Sequence, residues 1–244
     1  KHEKGKLYLF LDEYTNFYDV STGIDTIELL SDLGYEVMIT PHDESGRSFI
    51  SKGLLDKAKE KIDKNITHFG ELITSETPLV GVEPSAILGF RDEYPRLADN
   101  KDAARKITPI TNTLKEFFHE KKKKGKISSS DFSDKKKTIK IHGHCHQKSL
   151  STMESSFAML NLPKNYAVTI INSGCCGMAG SFGYEKEHYE VSMQVGEDTL
   201  FPKVRNTGKD VSIAAAGTSC RHQIFDGTGR KALQPATILR EALK

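Results

Sequence analysis

The chain has 244 residues, 37% hydrophobic, 28% charged and 8% aromatic, and 35 Lys+Arg against 33 Asp+Glu leave a net charge of +2. These are the values of an ordinary globular chain of one large or two small domains, and they set aside disordered and collagen-like classes and any whole-molecule field for nucleic acid or membrane. No apolar run approaches the roughly 18 residues that span a bilayer, and KHEKGK leads into LYLFL, an apolar stretch too short for a signal peptide.

Short β-rich runs alternate with amphipathic helical patterns from the start. KLYLFLD reads as a strand, Gly23–Leu33 as a helix, YEVMIT as a strand and Lys52–Ile62 as a helix; PLVGVE then reads as a strand and Pro84-Ser85 opens a helix. Such alternation predicts βαβ units and a parallel sheet covered by helices. Asp102–Glu120 reads as one long helix. The stretch KKKKGKISSSDFSDKKK after it is a solvated linker or exposed hairpin, since it lacks the interleaved aromatics of a nucleic-acid patch. The alternation then resumes with a TIKIHG strand, a helix over Ser149–Leu160, a YAVTII strand, a helix over Glu185–Val204, a VSIAAA strand and a helix after Cys220. Pro235 opens the last helix, as Pro suits a first turn.

Four cysteines lie in the last 100 residues, in HGHCHQK (Cys145), NSGCCGMAGSFG (Cys175 and Cys176) and GTSCRHQ (Cys220). Each follows a hydrophobic run and sits among Gly, Ser and His, the pattern of a buried strand opening into a loop. Inert buried thiols are the reading for any single one, but not for three similar loop ends. A disulfide framework conflicts with the cytosolic location expected of a chain that shows no signal peptide, and the adjacent Cys175 and Cys176 could bond each other only with strain. A thiolate-ligated metal or iron–sulfur centre remains, although the spacing is neither that of a zinc ribbon nor that of a bacterial ferredoxin.

The two halves align. KLYLFLDEYTN lies over TIKIHGHCHQK and sets Glu13 opposite Cys145. PHDESGR lies over NSGCCGM and sets Glu44 and Ser45 opposite Cys175 and Cys176. PLVGVEPSA lies over SIAAAGTSC and sets Ala86 opposite Cys220. Three correspondences in order indicate an internal duplication in which one copy keeps a thiol site and the other lacks it.

On these strings the chain resembles the cysteine-rich CCG-domain family, found as tandem repeats in one component of heterodisulfide reductase and in the glycolate oxidase iron–sulfur subunit. SGCCGMAGSFGYEKEHYEVSM and GTSCRHQIFDGTGRKAL further resemble the C-terminal region of fusion proteins that join an FAD-linked oxidase of the D-lactate or glycolate dehydrogenase type to a ferredoxin-like module and this domain. The resemblance implies an α/β fold of two lobes related by a pseudo-twofold: a repeat over 5–97, a helix and Lys/Ser-rich linker over 98–137, and a repeat over 138–244. It also implies an iron–sulfur cluster, in some relatives a non-cubane [4Fe-4S] pair and in others partly zinc, on Cys145, Cys175, Cys176 and Cys220. Here Cys220 is followed by Arg221, His222 and Gln223 instead of a C-x-x-C ending, and the first repeat has no cysteine, so a two-cluster heterodisulfide mechanism is not expected.

Under that reading Gly174, Gly177 and Gly217 bring backbone N–H groups to the sulfurs. His144, His146 and His222 are neighbours of the thiolates or replacement ligands in a zinc form, against the plainer role of loop histidines. In the first repeat Glu13, Glu44, Arg47 and Lys52, with the Glu83-Pro84-Ser85 turn, form a buried ion-pair network or an anionic-substrate site. The expected function is electron relay from flavin to an acceptor such as a quinone within a 2-hydroxy-acid oxidoreductase, the alternative being a zinc-binding structural domain of the same complex. FAD is expected in a preceding region or a partner, because no G-x-G-x-x-G follows a strand here and the chain starts at Lys1, not Met. The expected location is cytoplasmic, with peripheral attachment to the inner membrane as a variant.

Overall fold

A computed structural model describes residues 4–244; the first three residues of the KHEKGK opening, read above as no part of a signal peptide, lie outside them. The chain divides into two units, one ending at Lys126 and the other beginning at Ile127. Among the described residues each unit contains one four-stranded parallel sheet covered by helices, as the alternation of patterns predicts. No helix among them is long and apolar enough to cross a membrane.

In the first unit β1 (Gly5–Phe10), β2 (Tyr35–Met38), β3 (Leu79–Gly81) and β4 (Thr111–Thr113) stand in the order β2-β1-β3-β4. In the second, β5 (Lys137–His142), β6 (Tyr166–Ile170), β7 (Ser212–Ala215) and β8 (Ala232–Leu233) stand in the order β6-β5-β7-β8. The likeness extends to register. The first residue of the central strand pairs with the first of its neighbour in both units, Gly5 with Tyr35 and Lys137 with Tyr166. The fourth pairs with the strand on the other side, Tyr8 with Leu79 and Lys140 with Ile213. A one-residue slip would turn each strand's apolar set to the wrong face, so equal registers reflect equal apolar patterns. In the first core Phe10 packs edge-on against Phe69 and Phe90 at centroid distances of 5.8 and 5.2 Å. In the second, Leu200, Phe201, Val204, Ile213 and Ile224 pack with Cys176 and Cys220.

Two predicted helices are interrupted. Asp102–Glu120 is a helix over Lys101–Ile107, a 3-10 turn over Thr108–Ile110, strand β4, and a helix over Leu114–Lys123. Pro109 cannot continue the first helix, and Thr113 and Glu116 form a capping box that starts the second. Ser149–Leu160 divides into helices Cys145–Leu150 and Glu154–Leu160. The buried Gln147 amide donates to Thr152 O and Ser156 Oγ, both at 2.9 Å, and so holds the break between them. The Lys/Ser-rich stretch keeps most of its lysines exposed, but Ile127 and Phe132 are buried and Ser133 N donates to Ala242 O at 2.7 Å.

Helix Tyr189–Arg205 packs on helix Thr218–Thr228, which carries Cys220. The Phe201 ring fits between two glycines: a Cβ on Gly196 or on Gly227 would stand 2.3 Å from ring carbons. Gly227→Ala is therefore expected to lower stability by about 1–3 kcal/mol through overpacking, read as a lower urea midpoint at unchanged slope. An unchanged midpoint would mean that the two helices separate freely.

Candidate metal centre

The four cysteines stand beyond the carboxyl ends of three neighbouring strands. Cys145 follows β5, Cys175 and Cys176 follow β6, and Cys220 follows β7. Open parallel sheets place ligands at this edge because each strand there releases its loop. Cys145 is exposed, Cys175 half-buried, and Cys176 and Cys220 buried; all four are free thiols. Cys145 opens helix Cys145–Leu150, and Cys220 lies in the first turn of helix Thr218–Thr228 with Gly217 as its N-cap. Helix N-termini favour thiolates.

Cys176 Sγ and Cys220 Sγ are in contact at 3.5 Å, while Cys145 and Cys175 stand near enough to shift each other's ionisation. Cys175 is held well below the ordinary thiol range, chiefly by the contact from Cys145 and then by that from Cys176. Cys220 is likewise lowered, chiefly by the contact from Cys176 and against the opposing effect of burial. Cys145 and Cys176 are pushed up by giving those contacts, and burial adds to the rise. Gly177 N donates to Cys175 Sγ at 3.3 Å.

These donors fit a soft metal. Two thiolates on one tetrahedral ion with metal–sulfur bonds of about 2.3 Å lie roughly 3.8 Å apart, close to the 3.5 Å between Cys176 and Cys220. Metal binding would displace the thiol protons.

The glycines serve different ends. Gly177 has φ +101°, and a Cβ there would stand 2.0 Å from Ser192 O, so no other residue fits that turn. A Cβ on Gly217 would stand 2.4 Å from His144 Cδ2, which makes that glycine the seat of the buried His144 ring. Gly174 is exposed, and its N–H donates to Thr199 Oγ1 at 2.9 Å. His222 is exposed, its Nδ1 is 2.8 Å from Tyr184 OH, and His146 is half-buried. Sequence reasoning sets His142 among the histidines near the cysteines but gives no role to it or to Gln223: His142 is buried with Nδ1 2.9 Å from Ser173 Oγ, and Gln223 binds Ser192 O and Oγ through Nε2 at 3.0 and 2.9 Å. His142 had a signal, since it is a polar residue at the end of an apolar run that leads into a cysteine motif.

In the first unit the aligned positions also meet. Glu13 opens helix Glu13–Phe17 as Cys145 opens its own, and it accepts from Ser45 N at 2.8 Å and from Ser45 Oγ at 2.7 Å. Glu83 accepts from Ser85 N and Oγ at 3.1 and 2.7 Å. Arg47 bonds to Glu93, the backbone oxygen of Glu44 accepts from Asn65 Nδ2 at 2.9 Å, and Lys52 is exposed.

The chain is 27% identical over 248 residues to D-2-hydroxyglutarate dehydrogenase of Haemophilus influenzae, an alignment that covers 98% of this chain and 23% of that protein. It is 26% identical over 245 residues to a subunit of the anaerobic glycerol-3-phosphate dehydrogenase of Escherichia coli K12, covering 98% of this chain and 60% of that subunit. D-2-hydroxyglutarate dehydrogenase of the same E. coli strain is 25% identical over 236 residues, covering 96% of this chain and 22% of that protein. The chain is thus similar, over nearly its whole length, to parts of oxidoreductases, and it spans less than two-thirds of each. No family model matches it.

Asp12, beside Glu13, is wholly buried. Its Oδ1 accepts from Tyr14 N and Thr15 N at 3.0 and 3.1 Å, and its Oδ2 accepts from Thr15 Oγ1 at 2.8 Å. Burial, and after it the charge of Glu83, raise its carboxyl from 3.8 to about 8. The folded chain then keeps a proton that the unfolded chain releases near its ordinary pKa of 3.8, so this group weakens folding progressively as pH climbs towards about 8. Asp12→Asn keeps the cap and removes the titration. The urea midpoint of the variant should rise relative to wild type over that interval and level off above it. A constant difference would mean that Asp12 stays ionised in the folded protein.

Proposed function

We propose that Cys145, Cys175, Cys176 and Cys220 hold an iron–sulfur cluster, and that the chain is the electron-relay portion of an FAD-linked 2-hydroxy-acid oxidoreductase, built from two CCG-type repeats of which the second carries the cluster. The observation that carries the reading is that three neighbouring loops set four thiols beyond one edge of the sheet, with Cys176 and Cys220 in contact at 3.5 Å at the buried end. Soft thiolates on separate loops select zinc or iron–sulfur centres over harder ions. The relatives support redox use, since D-2-hydroxyglutarate, named for one of them, is a 2-hydroxy acid.

A cluster bound there would accept and release single electrons. The chain's own part is to hold it: Gly177 N–H donates to one sulfur, Cys176 and Cys220 anchor it in the apolar core, and exposed Cys145 leaves one side open to a donor or acceptor. Hydride transfer from the substrate carbon falls to FAD, which we assign to a region or partner beyond these residues, with a ferredoxin-like module between them and a quinone as final acceptor. Such a partnership suits a cytoplasmic protein working at the inner membrane surface.

Anaerobic incubation with ferrous iron and sulfide should give iron, labile sulfide and broad visible absorption, and Cys175→Ser or Cys176→Ser should abolish that absorption. Full absorption in both variants would overturn the ligand set, and uptake of zinc alone would replace the relay with a structural metal. The 244-residue chain by itself should not oxidise D-2-hydroxyglutarate with a dye acceptor. Once joined to its flavoprotein, Cys220→Ser should slow acceptor reduction and leave flavin reduction by substrate intact. Turnover by the chain without a flavoprotein would refute the relay.

A further inference from the structure

One imidazole among these thiols has no part in the ligand set above. His142 is the last residue of β5 and only 1% exposed. One of its ring nitrogens lies within 4.8 Å of both Cys176 Sγ and Cys220 Sγ, which are themselves 3.5 Å apart. Nδ1 is engaged by Ser173 Oγ at 2.9 Å, whereas Nε2 is buried without a hydrogen-bond partner among the described residues. Buried polar atoms are nearly always satisfied, and a bound ligand is one of the few reasons for an exception.

We propose that His142 Nε2 is a direct metal ligand, completing a nitrogen–sulfur set with Cys176 and Cys220 at the buried end of the centre. This deepens the cluster reading and rests on it. The tautomer follows from the neighbour: when Nδ1–H donates to Ser173 Oγ, the lone pair is on Nε2. Metal-ligating histidines characteristically fix their second nitrogen on an oxygen in this way, and Ser173 is therefore a positioning residue. The ring is also rigidly placed. β5 is hydrogen-bonded on both sides, and His142 pairs with Ala215, five residues before Cys220. A ligand on a central strand holds its geometry better than one on a loop. Imidazole and thiolate together suit zinc and iron alike.

The test uses the 244-residue chain loaded anaerobically with zinc(II) alone and, separately, with ferrous iron and sulfide. Zinc-edge X-ray absorption should show a nitrogen shell at about 2.0–2.1 Å with imidazole multiple scattering, beside sulfur at about 2.3 Å. His142→Cys should retain zinc and lose the imidazole pattern, while His144→Ala and His222→Ala should keep it. Ser173→Ala should weaken zinc binding by about 10–100-fold, and His142→Ala by at least as much. An all-sulfur shell in the wild type, or an imidazole pattern that survives in His142→Cys, would overturn the assignment of His142. The cluster reading would still stand if iron and sulfide were retained. Failure of the wild type to hold either zinc or iron and sulfide would remove the centre and this ligand together.

Discussion

Strand β5 runs parallel to β6 on one side and β7 on the other, so the three strands release their loops at one edge of the sheet within reach of one another. That arrangement gathers thiols 30 and 44 residues apart in the chain, Cys145 to Cys175 and Cys176 to Cys220, at one edge and brings the sulfurs of the second pair to 3.5 Å. A change in strand order or a slip in register would separate them. The glycines protect the same arrangement at close quarters: Gly177 leaves room for Ser192 O behind the Cys175-Cys176 turn, and Gly217 leaves room for the His144 ring.

The first unit applies the same frame to different chemistry. Its central strand has the burial pattern of β5, alternating up to a buried pair at the carboxyl end, and its loops likewise bring the aligned positions together. Where the second unit sets thiols near one another, the first sets the Glu13 carboxylate against the Ser45 hydroxyl and amide. Buried carboxylates need donors at once, because unmet charge in a low-dielectric interior is costly. The first unit supplies them locally, through Ser45, Ser85, Thr15 and helix N-termini, and the remaining cost is visible in the raised carboxyl of Asp12. Thiols tolerate burial as neutral groups and can await a metal.

Much of the fold is legible in the pattern of residues. The runs KLYLFL, YEVM, TIKIH and YAVTI are strands because apolar side chains alternate or cluster over lengths too short for helices. The duplication is visible because aligned strands end at aligned motifs. Strands β4 and β8 are not legible: Thr111–Thr113 and Ala232–Leu233 are two or three residues long, and only the neighbours β3 and β7 make them strands. The long helix expected over Asp102–Glu120 follows the propensity of its residues, whereas pairing of β4 with β3 overrides that propensity at its middle.

From the amino-acid sequence alone come the parallel α/β class, the internal repeat and the four cysteines at strand ends, because each is written in local pattern and spacing. Tertiary structure alone decides which side chains meet. It joins Cys176 to Cys220, sets the His142 ring beside both, and gives Glu13 to Ser45 and Arg47 to Glu93. Those contacts depend on strand order and on the room left between packed side chains, and neither is a property of any one segment.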